Sequence, residues 1–454
     1  MFGIGSFRSR NCQGLTRRSF LQIGSALPFA AALGSRAKEV IAAEAPQARS
    51  VMLIWLVGAP SHLDLFDPKP KAPAEYRGPF ASIATRTMGM QFTELLPRLA
   101  ARSNMFSVVR TNINYDGGHR PAGSIMWTGG KARPGGGEGG EEDPSAYPPH
   151  IGSVVARVRR SGDLPGFVSL AKGPVGDGGG PSLGFGGGKW GKSFDPFMVN
   201  CSKNSEVSIP DLKLLDGLTP ARLANRRELL QELNSVQHRV DALQDTQIDT
   251  TYRQAYQLLT TASTLKAFDI SEESQETREA YGRTSFGQSA LLGRRLVEAE
   301  VPFVQVNWSQ FAEVFYDFSD YGWDTHADNF QLLADWHGPL LDQVLSTLLD
   351  DLEQRGLLEN TLVVCMGEFG RTPHINNIGS RDHWHPCYFS LWAGGGVQPG
   401  RAIGESDARG EHPLTDPITP EMVGTTVLHL AGISSQERAQ LKVIEGGQVI
   451  DDLL

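Results

Sequence analysis

The stretch Val51-Met-Leu-Ile-Trp-Leu-Val57 is an unbroken apolar run of strand length, β-branched at Val51, Ile54 and Val57. A strand with no polar face has to be covered on both sides, which puts it in the interior of a layered α/β sheet. Two further units continue the pattern. Ala290, Leu291, Leu292, Leu296 and Val297 form a helical stripe ahead of the strand-like Val301–Trp308. Leu340, Leu341, Val344, Leu345, Leu348, Leu349 and Leu352 form a second helical face ahead of Thr361–Met366. Helix, strand, helix, strand with short joins predicts an α/β fold with a mainly parallel central sheet flanked by helices.

Upstream of the first strand, Thr16-Arg17-Arg18-Ser19-Phe20-Leu21 reads as a twin-arginine export signal, followed by a weakly apolar stretch from Phe20 to Gly34. That stretch is too short to span a bilayer, which takes about 20 apolar residues. The expected layout is a leader over 1–45 and a single α/β domain over 46–454, exported by the twin-arginine machinery to the periplasm or beyond. Residues 1–49 carry seven of the 42 basic and two of the 51 acidic residues, leaving 35 against 49 and a net charge of −14. Such a surface disfavours nucleic acid and anionic membranes, and the domain offers no membrane span. Three cysteines remain, Cys201, Cys365 and Cys387, an odd number that argues against a disulfide framework.

Thr219-Pro220 supplies an N-cap and first-turn proline for a long polar helix, and Tyr252–Phe268 suits an antiparallel partner, so residues 219–270 are expected to form a helical insertion. The glycine-rich stretches Gly129–Gly140 and Gly173–Gly191 match no phosphate-binding or dinucleotide fingerprint and are expected to be long loops.

Three polar clusters each follow a strand-like run: Gly58-Ala-Pro-Ser-His62-Leu-Asp64, Trp323-Asp324-Thr-His326, and Gly367-Glu368-Phe-Gly370 leading to Asp382-His383-Trp-His385. In a parallel sheet, residues beyond the carboxyl ends of strands converge, and carboxylates with imidazoles select a divalent ion of the zinc or manganese type. On an extended segment His383 and His385 would point to one side and face one ion. Other roles compete. Asp64 and Asp67 suit caps or turns, His62 a hydrogen-bonded loop position, Asp324 with His326 a capping pair, and Glu368 an ion pair with Arg371. Asp328, His337, His374, His412 and His429 carry no functional claim.

The segments GAPSHLDLFDPKP (58–70), GHRPAGSIMWTG (118–129), GWDTHADN (322–329), GEFGRTP (367–373) and RDHWHP (381–386) resemble an exported bacterial family. It is catalogued as domain of unknown function fifteen-oh-one, within the alkaline phosphatase and sulfatase superfamily. The resemblance covers nearly all of the domain. It implies metals above the strand ends and hydrolysis of phosphate or sulfate esters, small or polysaccharide, with zinc, manganese or calcium as cofactor. It also implies Asp64, Asp324, His326, Glu368, His383 and His385 as metal ligands, with His62, Asp382 and Arg371 around them. Glu368-Phe369 stands where the superfamily has Asp-His, which removes one imidazole. Counting back from Trp127-Thr128-Gly129 puts the superfamily's nucleophile at His119, with Ser124 a turn into the helix. The expectation is therefore attack by a metal-activated water, with His119 as ligand or base and no covalent enzyme ester. The alternative is a catalytically inactive metal- or ligand-binding protein that retains the fold.

Overall fold

Alternate side chains of the first strand, β1 (Ser50–Leu56), enter two different cores, which is why no polar residue interrupts it. Met52, Ile54 and Leu56 pack into one, Val51, Leu53 and Trp55 into the other. The computed structural model describes residues 47–130, 143–159, 162, 164–170, 183–208, 262–308, 322–444 and 446–454.

Among these, nine strands form the central sheet. The others are β2 (Phe106–Asn112), β3 (Phe167–Leu170), β4 (Phe197–Cys201), β5 (Val207–Ser208), β6 (Phe303–Trp308), β7 (Thr361–Met366), β8 (Tyr388–Ala393) and β9 (Ala402–Ile403). Their order is β9-β2-β8-β7-β1-β6-β3-β4-β5. β1 runs parallel to both neighbours, with Ile54 opposite Val306 of β6 and Cys365 of β7. The β6/β3, β3/β4 and β2/β9 pairs are parallel as well. The expected mainly parallel sheet is present.

β8 departs from it, running antiparallel to both β7 and β2. The connection from β7 to β8, residues 367–387, contains no helix. A helical crossover is what returns a chain for parallel pairing, so a segment without one comes back antiparallel. That same connection carries much of the candidate site.

Helices cover both faces. α3 (Ser285–Glu298) and α4 (Gly338–Gln354) pack on the side of Met52 and Ile54. α1 (His119–Thr128), α2 (Ile151–Val158) and α5 (Pro420–Leu430) pack on the side of Val51 and Trp55. The leucine face expected for α4 is the buried one, with Leu341, Leu348, Leu349 and Leu352 fully enclosed. Each such side chain contributes about 1.5–3 kcal/mol of transfer free energy. α3 starts where Thr284 accepts from Gly287 N at 3.0 Å, and α5 where Thr419 caps ahead of Pro420.

Residues 45–454 cluster as one compact unit. The leader and most of the expected insertion lie outside the described residues, although Ala262–Phe268 of the latter is α-helical. Most of Gly129–Gly140 and half of Gly173–Gly191 also lie outside them. No described helix is long and apolar enough to cross a membrane. Cys201, Cys365 and Cys387 are buried and free.

Candidate metal centre

Two residues beyond β1 stands Gly58, whose φ of +104° and missing side chain admit a neighbouring backbone, since a Cβ there would lie 2.1 Å from Asp324 N. Trp323 N donates to Val57 O at 2.8 Å, which fastens the 323–326 segment to the end of β1. Beyond β7, Gly370–Arg371 and His383–Trp384 form a two-stranded antiparallel ribbon in which Arg371 lies directly opposite His383. Paired residues of such a ribbon share a face. Both accordingly reach Asp324 Oδ1, Arg371 Nη2 at 2.5 Å and His383 Nε2 at 3.3 Å. His119 is the first residue of α1, which ends on left-handed Gly129 as the count along the sequence expected.

Three imidazoles converge on Asp324. His119 Nε2 lies 3.2 Å from Oδ2 and His326 Nε2 3.0 Å from Oδ1, and the Nε2 atoms of His326 and His383 are 2.9 Å apart. His119, Asp324 and His383 form a group able to hold a metal ion. On the far side of each ring, Nδ1 meets an oxygen: Glu368 Oε1 for His119 at 2.6 Å, Asp382 Oδ1 for His326 at 2.9 Å and Gly117 O for His383 at 2.8 Å. Carbonyls and carboxylates only accept, so each ring carries its proton on Nδ1 whenever Nε2 is given to an ion. In the neutral rings the three Nε2 lone pairs then face one another and a carboxylate.

That arrangement calls for a cation, either protons or a metal ion. His119 Nε2, which faces Asp324, is buried without a hydrogen-bond partner. A tetrahedral ion with arms of about 2.0–2.1 Å has donors roughly 3.3 Å apart, close to the separations found here. Imidazole with carboxylate is also the donor set of zinc-type and manganese-type ions. The residues present therefore fit a divalent ion.

The electrostatics agree. Burial disfavours the charged form of Asp324, yet the imidazoles of His119, His326 and His383 and the charge of Arg371 hold its carboxyl far below the usual range. Burial likewise opposes charge on His119, but the carboxylates of Asp324 and Glu368 outweigh it and raise the ring to about 9. His326 is raised, first by Asp324. Asp382 is held down against a burial penalty, chiefly by His326.

Several expected site residues take other places. Asp64 lies outside the cluster: both its oxygens are held by Arg381, Nε to Oδ2 at 2.7 Å and Nη2 to Oδ1 at 3.0 Å, in a fully buried pair. His62 is a buried loop residue with Nε2 2.8 Å from Gly410 O, and burial lowers its pKa. The carboxylate partner of Arg371 is Asp324 rather than Glu368, and Arg371 also donates to the carbonyls of Gly58 and Ala59. His385 does not join the ring of donors; its Nδ1 bonds Asn114 O at 2.9 Å. The ribbon ends at Trp384, so the alternation that would align residue 385 with 383 is not maintained. Ser124 is buried in α1 and donates to Leu183 O.

Sequence reasoning did not reach Arg381, Asn114, the Gly117 carbonyl or Phe369, which stacks on His119 with centroids 5.0 Å apart. Arg381 opens the RDHWHP segment and Phe369 stands in GEFGRTP where the superfamily has a histidine, so both had a signal in the sequence; Asn114 and the Gly117 carbonyl had none.

Solved structures similar to this chain include a 2-O GAG sulfatase, at 10% identity over 90% of this chain and 74% of that one, TM-score 0.36. A sulfatase from Pseudoalteromonas sp. is 12% identical over 95% of this chain and 74% of its own, TM-score 0.38. The lipoteichoic acid synthase LtaP from Listeria monocytogenes is 8% identical over 86% and 73%, TM-score 0.36. No curated protein matches the chain. Residues 48–453 match the family described as "Protein of unknown function (DUF1501)", and the chain belongs to that family.

Proposed function

We propose that this chain is an exported, metal-dependent hydrolase-like protein acting on phosphate or sulfate esters, with water as the attacking group. The observation that carries the reading is the convergence of three Nε2 atoms on one carboxylate, each ring held by an oxygen at Nδ1. Asp324, His119, His326 and His383 would hold the ion, and Arg371 keeps Asp324 in place from the buried side. A divalent ion there would supply Lewis acidity toward an ester oxygen and lower the pKa of water. In the net reaction the water oxygen bonds to phosphorus or sulfur, the bond to the leaving oxygen breaks, and that oxygen takes up a proton. The residue at the start of α1 is an imidazole rather than a hydroxyl or thiol, which supports a path without a covalent enzyme ester. Export rests on Arg17-Arg18 with Phe20-Leu21 behind them.

One observation favours the inactive binding protein instead. His119 has one ring nitrogen on Glu368 and the other facing Asp324, which leaves it no free atom to act as a base. Assays on aryl phosphates and aryl sulfates with added zinc, manganese or calcium decide between the two. The hydrolase reading expects turnover by wild type, near-complete loss in His119→Ala and retention in Ser124→Ala; loss only in Ser124→Ala, or a trapped phosphoserine, would sink the water path. No turnover on any ester would favour the binding protein. Metal analysis of protein purified through its export route is expected to find at least one divalent ion per chain. Full retention of that metal in the Asp324→Ala/His383→Ala double variant would refute the placement.

A further inference from the structure

We propose that Glu368 is a positioning residue that acts through His119 rather than a ligand of the ion; this rests on the metal reading above. A single oxygen, Oε1, accepts from His119 Nδ1 at 2.6 Å and from Gly58 N at 2.8 Å. Two donors commit Oε1 to N–H groups on the side of His119 that faces away from Asp324; Oε2 is buried without a hydrogen-bond partner, and Glu368 is not among the residues grouped about the candidate ion. The side chain is 2% exposed, so these bonds act in a medium of low polarity where charge-assisted contacts are strong. The backbone of the same residue is fixed as well, since Asn114 Nδ2 donates to Glu368 O at 2.8 Å and to Ala122 O of α1 at 3.1 Å.

Glu368 thereby joins three pieces that the chain keeps far apart: the end of β7, the loop after β1 and the first turn of α1. Its effect on His119 is specific. The ring is held at Nδ1 by Glu368 and stacked on Phe369 with an interplanar angle of 27°, so Nε2 has one direction left, toward Asp324. A carboxylate behind a ligating imidazole fixes its tautomer and raises its basicity, and losing such a partner costs about 10- to 100-fold in metal affinity. Glu368-Phe369 thus uses the carboxylate and the ring next to it to orient an imidazole contributed by another element.

The test uses cobalt(II) as probe on chelator-stripped wild type, Glu368→Gln, His119→Ala and the double variant. Glutamine is isosteric and keeps an acceptor for both N–H groups. Glu368→Gln is expected to keep the ligand-field band positions of wild type while its Kd for cobalt rises about 10- to 100-fold. In the His119→Ala background the same change is expected to add nothing, because the effect runs through that ring. Shifted bands in Glu368→Gln, or an affinity loss that adds fully to that of His119→Ala, would overturn the proposal. A second readout needs no ion. In ion-free protein labelled with nitrogen-15 at histidine, His119 is expected to show a slowly exchanging, low-field Nδ1 proton that moves upfield in Glu368→Gln. A freely exchanging Nδ1 proton, or one unmoved by the change, would overturn the positioning role. Wild type that takes up no cobalt would remove the ion reading while this second measurement still decides the fate of the Glu368–His119 pair.

Discussion

The buried histidine at the start of α2 makes the stability of the fold depend on pH in a way that can be worked out from its surroundings. His150 caps the helix, with Nδ1 accepting from Gly152 N at 2.8 Å, while its Nε2 is buried without a hydrogen-bond partner. The ring lies among Phe167, Phe185, Phe303 and Trp127, at centroid distances of 4.9, 5.5, 5.8 and 6.1 Å. Burial among these rings lowers its pKa to about 3, opposed only in part by the Gln305 side chain. The folded protein therefore keeps His150 neutral where the unfolded chain, near 6.5, takes up a proton. Stability is fully present above pH 6.5 and falls as pH drops toward 3. Between pH 7 and pH 5 the unfolded state gains most of one proton, which corresponds to a loss of about 2 kcal/mol from this residue. His150→Asn keeps a cap acceptor but cannot titrate. It is expected to be less stable at pH 7 through lost packing, and the gap to wild type is expected to narrow by about 2 kcal/mol by pH 5. Urea unfolding of both proteins in half-unit pH steps measures this; parallel stability curves would refute the reasoning.

Three further changes probe the site and its frame. Gly58→Ala places a Cβ 2.1 Å from Asp324 N at a left-handed φ; it is expected to cost at least about 1–3 kcal/mol in urea unfolding and to weaken zinc binding measured by calorimetry, and an unchanged affinity would count against the close packing. Asp64→Asn leaves Arg381 buried without its counter-charge, with an expected loss of about 3–5 kcal/mol while the metal content stays that of wild type; loss of metal with stability intact would return Asp64 to the ligand set. Replacing Arg17 and Arg18 together by lysine keeps the charge and is expected to hold the protein in the cytoplasm, so cell fractionation that finds it outside in wild-type amounts would show that the motif is not read.

What could be read from the sequence follows from how local each signal is. β1, β6 and β7 were legible because strands buried on both faces must be apolar throughout, a property contained in six or seven consecutive residues. The antiparallel placement of β8 was not, because it depends on what the 367–387 connection lacks rather than on what Tyr388–Ala393 contains. The clusters after the strands were legible as clusters, since strand ends gather in space whatever their side chains do. Which member faces the centre was another matter. Asp64 and Asp324 look alike in their loops, each a carboxylate a few residues past a strand, and only the fold brings a guanidinium from 317 residues away onto the first. His383 and His385 differ because the ribbon lasts two residues and stops, a boundary set by its pairing with Gly370–Arg371. Glu368 is the clearest case. From sequence it was a ligand or the partner of Arg371, and its geometry gives one oxygen to a ring nitrogen from α1 and a backbone amide from the loop after β1. The chemistry a side chain can perform is written in its own residue; the direction it faces is written in residues hundreds of positions away, and in this fold the second decides which carboxylate meets the imidazoles.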